Sequence, residues 1–216
     1  MLTSFSHCDS KKQQIDIKLD KLFNNKNNGF FIELGANDGL TQSNTALFEN
    51  YRNWHGILIE PSKIAFDKCI ANRPKSICYN LACVDKDYKE NYIYGDFKDG
   101  NCMSSINGKR LNNNELVKVN VSTLEKILDK NNITTIDFLS LDVEGYELNV
   151  LKGLNLNKYR PIYILIEIYI DQYNTIYNYL TDNNYRLLSN FTNYNLIDNP
   201  RWDGTHNDYL FIDNNV

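Results

Sequence analysis

Short apolar runs alternate along the chain with stretches whose apolar residues recur at helical spacing. Segments 30–34, 56–60, 76–81, 136–142 and 162–168 have the length of buried strands and are bounded by polar or turn residues. Segments 43–51, 63–72, 123–130, 146–154 and 172–183 read as amphipathic helices. Strand–helix alternation of this kind predicts an α/β fold, a doubly wound and mostly parallel sheet with helices on both faces. Two segments break the rhythm. Residues 85–121 are too polar for a core helix and carry alternating runs at 92–94 and 116–121, which predicts an inserted hairpin or lid. Residues 185–212 read as two final strands around a loop marked by Pro200 and Gly204, bringing the sheet to seven strands. Residues 1–28 form a polar lead-in with a helix over 11–23. With no internal repeat and no linker, residues 29–216 read as one domain.

A chain of 216 residues is long enough to bury a continuous core of that type. The net charge of −4 and a pI near 5.4 argue against charge-driven nucleic-acid binding, which needs a basic face. Asparagine supplies 33 of the 216 residues, and Ile, Lys and Tyr are also plentiful. These residues share AT-rich codons, so the excess reads as genome bias, with Asn pairs and triplets placed at turns. The five cysteines (Cys8, Cys69, Cys78, Cys83, Cys102) are odd in number and lack metal-type spacing, which fits a reducing, cytoplasmic compartment. The apolar stretch 162–170 is interrupted by Glu167 and is too short to span a bilayer. No basic segment followed by an apolar run opens the chain, so no secretory leader is expected.

The densest chemical signal follows the first strand, in Glu33-Leu34-Gly35-Ala36-Asn37-Asp38-Gly39. Gly35 and Gly39 permit a sharp turn and close approach of backbone to a ligand. A dinucleotide site would show GxGxxG with pyrophosphate on the helix N-terminus. Here the pattern is ExGxxxG, and Glu33 and Asp38 are poor company for pyrophosphate but suit the cationic amino-acid end of S-adenosylmethionine. The second strand ends in Glu60-Pro61, an acid placed to accept hydrogen bonds from both hydroxyls of a ribose, 25 residues past Gly35.

These blocks, with Thr123-Leu124 and Leu139-Ser-Leu-Asp-Val-Glu-Gly-Tyr-Glu147, resemble the FkbM-type methyltransferases; the tail Asn207-Asp-Tyr-Leu-Phe211 is similar to that family's last strand. The resemblance implies a class I methyltransferase fold, S-adenosylmethionine as cofactor, and O-methylation of a small polar acceptor such as a sugar or glycan. It implies that Glu33, Gly35, Ala36, Asn37 and Gly39, with Asp38 in the same loop, surround the methionine part. Ser43 and Asn44 would add contacts to the carboxylate, and Glu60, flanked by Pro61 and Ser62, would hold the ribose. Asn80 and Ala82 would sit near the adenine, and the stretch Asp99–Ser105 resembles a loop near the cofactor.

Asp142 and Glu144 follow the fourth long strand, at the carboxyl edge where doubly wound sheets bind ligands. Methyl transfer is an in-line displacement, so the protein must align the acceptor hydroxyl and provide for its proton. Asp142, Glu144, Glu167 and His206 are the candidates. Each has a plainer reading: Glu144 as a helix cap, Asp142 as a loop acceptor, Glu167 as a paired charge within the sheet, His206 as a surface residue. His7 and His55 read as structural or solvated, while Tyr173, Tyr177 and Trp202 are candidate stacking surfaces for the acceptor. Asp142, Glu144, Glu167 and Asp208 offer enough oxygens for a divalent metal, but their spacing demands none, so no metal is expected. The rivals are an NAD-dependent oxidoreductase, disfavoured by the missing GxGxxG, a nucleic-acid methyltransferase, which would carry a Pro-Pro-aromatic motif after that strand, and a non-catalytic protein retaining the fold.

Overall fold

The computed structural model describes residues 2–216. In chain order its strands are β1 (Phe30–Leu34), β2 (His55–Ile59), β3 (Ile77–Tyr79), β4 (Ala82–Cys83), β5 (Tyr92–Gly95), β6 (Val117–Ser122), β7 (Ile136–Leu141), β8 (Pro161–Tyr169), β9 (Tyr185–Asn190) and β10 (His206–Asp213). The helices are α1 (Ile15–Leu22), α2 (Ala46–Tyr51), α3 (Lys63–Asn72), α4 (Leu124–Lys130), α5 (Glu147–Lys152) and α6 (Tyr173–Asp182). Seven strands form the main sheet in the order β3-β2-β1-β7-β8-β10-β9. It is parallel except for β10, which runs antiparallel to both its neighbours. The chain winds outward from β1 through β2 to β3, then crosses back to place β7 on the other side of β1. The carboxyl ends of β1 and β7 therefore flank the point where the winding reverses, the place where such sheets open a ligand crevice.

Period-two alternation divides the apolar residues between two layers. Phe30, Ile32 and Leu34 of β1 join Leu139, Leu141, Ile164 and Ile166 against helices α4, α5 and α6. Phe31, Leu58, Phe138, Leu165 and Leu210 face the opposite layer, built from α1, α2 and Trp54. The lead-in belongs to this core: Ile15 and Leu19 are fully buried, and the Phe23 ring lies 4.9–5.7 Å from those of Tyr163, Phe48, Phe138 and Trp54. Buried Asp16 then ties the preceding residues down, accepting hydrogen bonds from the Ser4 hydroxyl and the Phe5 amide.

Local chemistry shortens several expected elements. The helix expected over 43–51 begins only at Ala46, because Ser43, Asn44 and Thr45 turn their hydrogen-bonding groups to Glu33. The expected strand 76–81 stops at Tyr79, and Ala82-Cys83 leaves the main sheet to pair with Val121-Ser122. In the insertion, β5 and β6 pair antiparallel, from Tyr92 opposite Asn120 to Gly95 opposite Val117. A small cluster of Ala82, Val84, Ile93, Phe97 and Ile106 holds this unit against the domain. The 96–106 loop thereby comes to rest over the carboxyl end of the main sheet. Among the described residues no helix is long and apolar enough to cross a membrane.

Candidate active site

A pocket of about 860 Å³, its open mouth included, lies at the carboxyl ends of β1, β2 and β7. Gly35, Asn37, Ser43, Glu60, Pro61, Ala82 and Asp142 contribute to its walls, with Glu144 at one end. Sequence reading missed Thr41, Gln42, Ile59, Tyr146 and Val150, and identified the covering loop only as the stretch 99–105; Phe97 and Ile106 of that cover also line the pocket. Apolar Ile59, Leu81, Ala82, Phe97 and Ile106 give part of the pocket the flat, dry character that suits a purine, while Glu60 and Asp142 give the rest its charge.

Gly35 is where the two central strands close on each other. Its φ is +77°, and a Cβ there would lie 1.9 Å from the backbone oxygen of Asp142. Only glycine combines that conformation with that approach. We expect Gly35→Ala to destabilise the fold by at least the roughly 1–3 kcal/mol of a strained backbone and to close the crevice. Thermal melts together with cofactor titration check this; unchanged binding by the variant would contradict it.

Glu60 stands at the end of β2 with both oxygens aimed into the loops. Its Oε2 accepts from the Asn37 amide at 2.8 Å and its Oε1 from the Ser62 amide at 2.7 Å. Burial pushes its carboxyl up to about 7, against the lowering effect of those two amides. Each oxygen keeps a lone pair, and the neighbouring Ser62 hydroxyl oxygen is buried without a partner. This donor and acceptor set fits the vicinal hydroxyls of a ribose. The Asn80 amide, expected beside the adenine, instead bridges the Glu60 and Pro61 carbonyls and sets the shape of this corner.

The loop acids do something other than what their charge suggested. Glu33 shares the parity of Phe31 and so projects into the α2 layer, not into the pocket. Its carboxylate accepts from the Ser43 and Thr45 hydroxyls and the Asn44 amide, and lies 3.6 Å from the guanidinium of buried Arg73. Arg73 also donates to Glu49 at 2.9 Å and to the Gly39 carbonyl at 2.9 Å, pinning the far end of the glycine loop. Asp38 caps its own turn: burial opposes ionisation, but the Thr41 and Leu40 amides hold its carboxyl below the usual range. Ala36 and Gly39 are buried behind the loop, and the Asn44 side chain donates to the Ser140 hydroxyl. The charge argument made from Glu33 and Asp38 is thus corrected: they shape the loop, and the pocket's acids are Glu60, Asp142 and Glu144.

Beyond the pocket, on the α1 side of the sheet, the side chains of Asp142, Glu144 and Glu167 converge, one oxygen of each lying within 4.8 Å of the others. Asp142 continues the face of Phe138 and Ser140, and Glu167 the face of Leu165; Asp208 stands opposite Glu167 in the β8–β10 register. Glu144 reaches the cluster from a left-handed backbone, φ 55°, followed by Gly145 at φ 94°. Glu144 does not cap the following helix; the Glu147 carboxylate accepts from the Val143 and Gly145 amides and so closes the turn ahead of α5, whose N-cap residue Tyr146 makes no side-chain cap. Burial, reinforced by mutual repulsion, raises the carboxyls of Asp142 and Glu167 well above the ordinary range. Glu144 is raised by burial, with opposition from the Tyr169 hydroxyl, 2.6 Å away, and Arg110.

Both imidazoles beside this cluster are tied. His206 meets Glu167 at 3.2 Å through Nε2 and the Thr205 hydroxyl at 2.8 Å through Nδ1. His7, read as structural or solvated, sits 3.3 Å from Asp208. Burial lowers its affinity for a proton, yet the hydrogen bond and charge of Asp208 outweigh this and raise it. Its position 201 residues away in the chain leaves no sequence signal. Tyr173 and Tyr177 stack on one another and pack against the core beside Tyr209 and Phe211, while the Trp202 indole donates to the His206 carbonyl.

A family model described as the methyltransferase FkbM domain matches residues 33–187. Among solved structures, the fold is shared with precorrin-6y C5,15-methyltransferase from Geobacter metallireducens, at TM-score 0.51 and 9% identity over 93% of this chain and 89% of that one. A TehB-like SAM-dependent methyltransferase from Corynebacterium glutamicum gives TM-score 0.50 and 7% identity over 92% and 87%. The human methyltransferase 10 domain containing protein gives TM-score 0.50 and 8% identity over 93% and 82%. At such identities the likeness is one of fold. No curated protein sequence matches the chain. The family match spans most of the chain, which belongs to the FkbM methyltransferase family and is an S-adenosylmethionine-dependent methyltransferase of class I fold.

Proposed function

We propose that the protein methylates a hydroxyl oxygen of a small polar acceptor, a sugar or glycan being the class that fits best. The observation that carries this reading is the position of Asp142 and Glu144, which belong both to the wall of the cofactor pocket and to the carboxylate cluster beyond it. Bound S-adenosylmethionine supplies an electrophilic methyl group on a sulfonium. The chain's own residues then have three tasks. Glu60 and Ser62 hold the ribose, and Gly35 and Asn37 let the backbone approach the amino-acid end. Asp142, Glu144 and Glu167 present acceptor oxygens to the hydroxyls of an incoming polyol, aligning one of them and receiving its proton. The 96–106 loop covers the pocket and limits water.

A surface of convergent carboxylates suits a ligand rich in hydroxyl donors and repels phosphorylated or nucleic-acid acceptors. The test is transfer of a labelled methyl group from S-adenosylmethionine to a panel of mono- and disaccharides, polyols, amines and nucleosides. Methyl ethers formed on members of the sugar panel are the expected products. Transfer confined to amine nitrogen, or to nucleosides, would overturn the acceptor reading while leaving the methyltransferase assignment in place.

A further inference from the structure

We propose that Asp142, Glu144 and Glu167 form a binding site for one hard divalent cation, whose remaining coordination positions take adjacent oxygens of the acceptor. Three observations lead there. One oxygen from each side chain lies within 4.8 Å of the others. Oxygens bound to one calcium at about 2.3–2.6 Å stand at most about 5 Å apart, so the three oxygens already have the mutual spacing of a shared ion. The donors are all carboxylate, which selects calcium, manganese or magnesium over zinc or copper.

The second observation concerns Glu167 itself. Its side chain is 9% exposed, and its Oε2 is buried without a hydrogen-bond partner, while Oε1 faces His206 at 3.2 Å. A buried carboxylate oxygen left without a donor is costly unless a ligand completes it. Neighbours on the same side do not complete it: Asp208 repels it and is itself occupied by His7.

The third is the local balance of charge. Arg110 approaches Glu144 at 3.2 Å, but its guanidinium is also committed to Asp203 at 2.7 Å. Arg110, shared with Asp203, and the His206 imidazole at Glu167 thus face three carboxylates held close by their backbones, Glu167 on β8, Asp142 directly after β7 and Glu144 in its left-handed turn. Sequence spacing gave no reason to expect a metal; the pairing of β7 with β8 creates one. Asp142 and Glu144 also line the pocket, so a cation held by the trio would sit beside it and offer its free positions to neighbouring hydroxyls of a polyol. That last step rests on the acceptor reading above; cation binding by the trio does not.

The experiment titrates the protein with Mn²⁺, following free ion by electron paramagnetic resonance, and measures S-adenosylhomocysteine affinity on the same samples. The expected result is one Mn²⁺ per chain, weakened about tenfold or more in Glu167→Gln, with S-adenosylhomocysteine binding retained. Glu167→Ala serves as a second variant should the first fold poorly, with the same expectation; Glu167 lies outside the cofactor pocket wall. Absence of saturable Mn²⁺ binding in protein that binds S-adenosylhomocysteine would overturn the proposal. Equal binding by wild type and both variants would do so too, placing the ion elsewhere. A third arm adds glucose or glycerol to the Mn²⁺-loaded protein: tighter Mn²⁺ binding or a changed bound-ion spectrum is expected, and no change in either would overturn the ion's role toward the acceptor.

Discussion

Arg73→Met is expected to lower the melting temperature by about 10 °C. Arg73 is 1% exposed, and its guanidinium is the counter-charge for two buried carboxylates, Glu49 at 2.9 Å and Glu33 at 3.6 Å. Removing one partner of a buried ion pair leaves the other charge uncompensated, a loss of about 3–5 kcal/mol. For a chain of this size each kcal/mol moves the midpoint by about 2–4 °C. Arg73 also donates to the Gly39 carbonyl and the Thr45 hydroxyl, so the glycine loop loosens together with the core. Methionine roughly preserves the volume, which isolates the charge from the cavity. Adding Glu49→Gln to the variant should recover part of the loss, because one of the two stranded carboxylates is then neutral. Thermal melts by circular dichroism read both results, and an unchanged midpoint for Arg73→Met would refute the account of this loop.

Glu60→Ala should weaken S-adenosylhomocysteine binding by about 10- to 100-fold. Hydrogen bonds to a charged group contribute about 1.5–3 kcal/mol, and the variant leaves the Asn37 and Ser62 amides without their acceptor. A pH dependence distinguishes this role from a merely structural one. The Glu60 carboxyl sits near 7 in the free protein, well above its unfolded value, so it is mostly protonated below that pH and ionised above it. Its contribution to the stability of the free protein is therefore full below the unfolded value and fades as pH rises through about 7. Ribose hydroxyls donate to the ionised form, so affinity runs the other way and increases with pH. At pH 6 only about a tenth of the groups are ionised, which predicts binding about tenfold weaker than at pH 8. Glu60→Gln retains one acceptor oxygen and no titration; its affinity should be intermediate and flat with pH over that range. A wild-type profile equally flat would show that Glu60 does not hold the ribose.

The fold was legible because its signals are local and repeated. β1 spans the same 30–34 that the apolar pattern predicts, and the switch from period two to helical spacing marks each βα unit. The element ends were less legible, since they depend on partners far along the chain. α2 starts late because Glu33 captures Ser43 to Thr45, and the expected strand 76–81 is cut to Ile77–Tyr79, the next strand, Ala82-Cys83, pairing with β6 instead of continuing the main sheet.

In the site, the strand-end acid Glu60 and the turn at Gly35 could be read from position alone. Glu33 illustrates a subtler limit. Its charge pointed to the cofactor, but strand parity with Phe31 already directed it to the other layer, where Arg73 supplies the counter-ion. All three members of the carboxylate trio are sequence candidates, Asp142 and Glu144 from one motif and Glu167 as an acid interrupting an apolar strand; their convergence, set by the β7–β8 pairing, is what spacing does not announce. His7 is the extreme case, delivered beside Asp208 by a lead-in whose polar composition hides three core residues, Ile15, Leu19 and Phe23.

The measurement that bears most directly on the central claim is calorimetric titration of the wild-type chain with S-adenosylhomocysteine beside NAD at pH 8. The account predicts saturable binding of the first at one site per chain and none of the second, because the pocket offers Glu60 to a ribose but no glycine-lined helix N-terminus to a pyrophosphate. Binding of NAD, or of neither ligand by the folded protein, would contradict it.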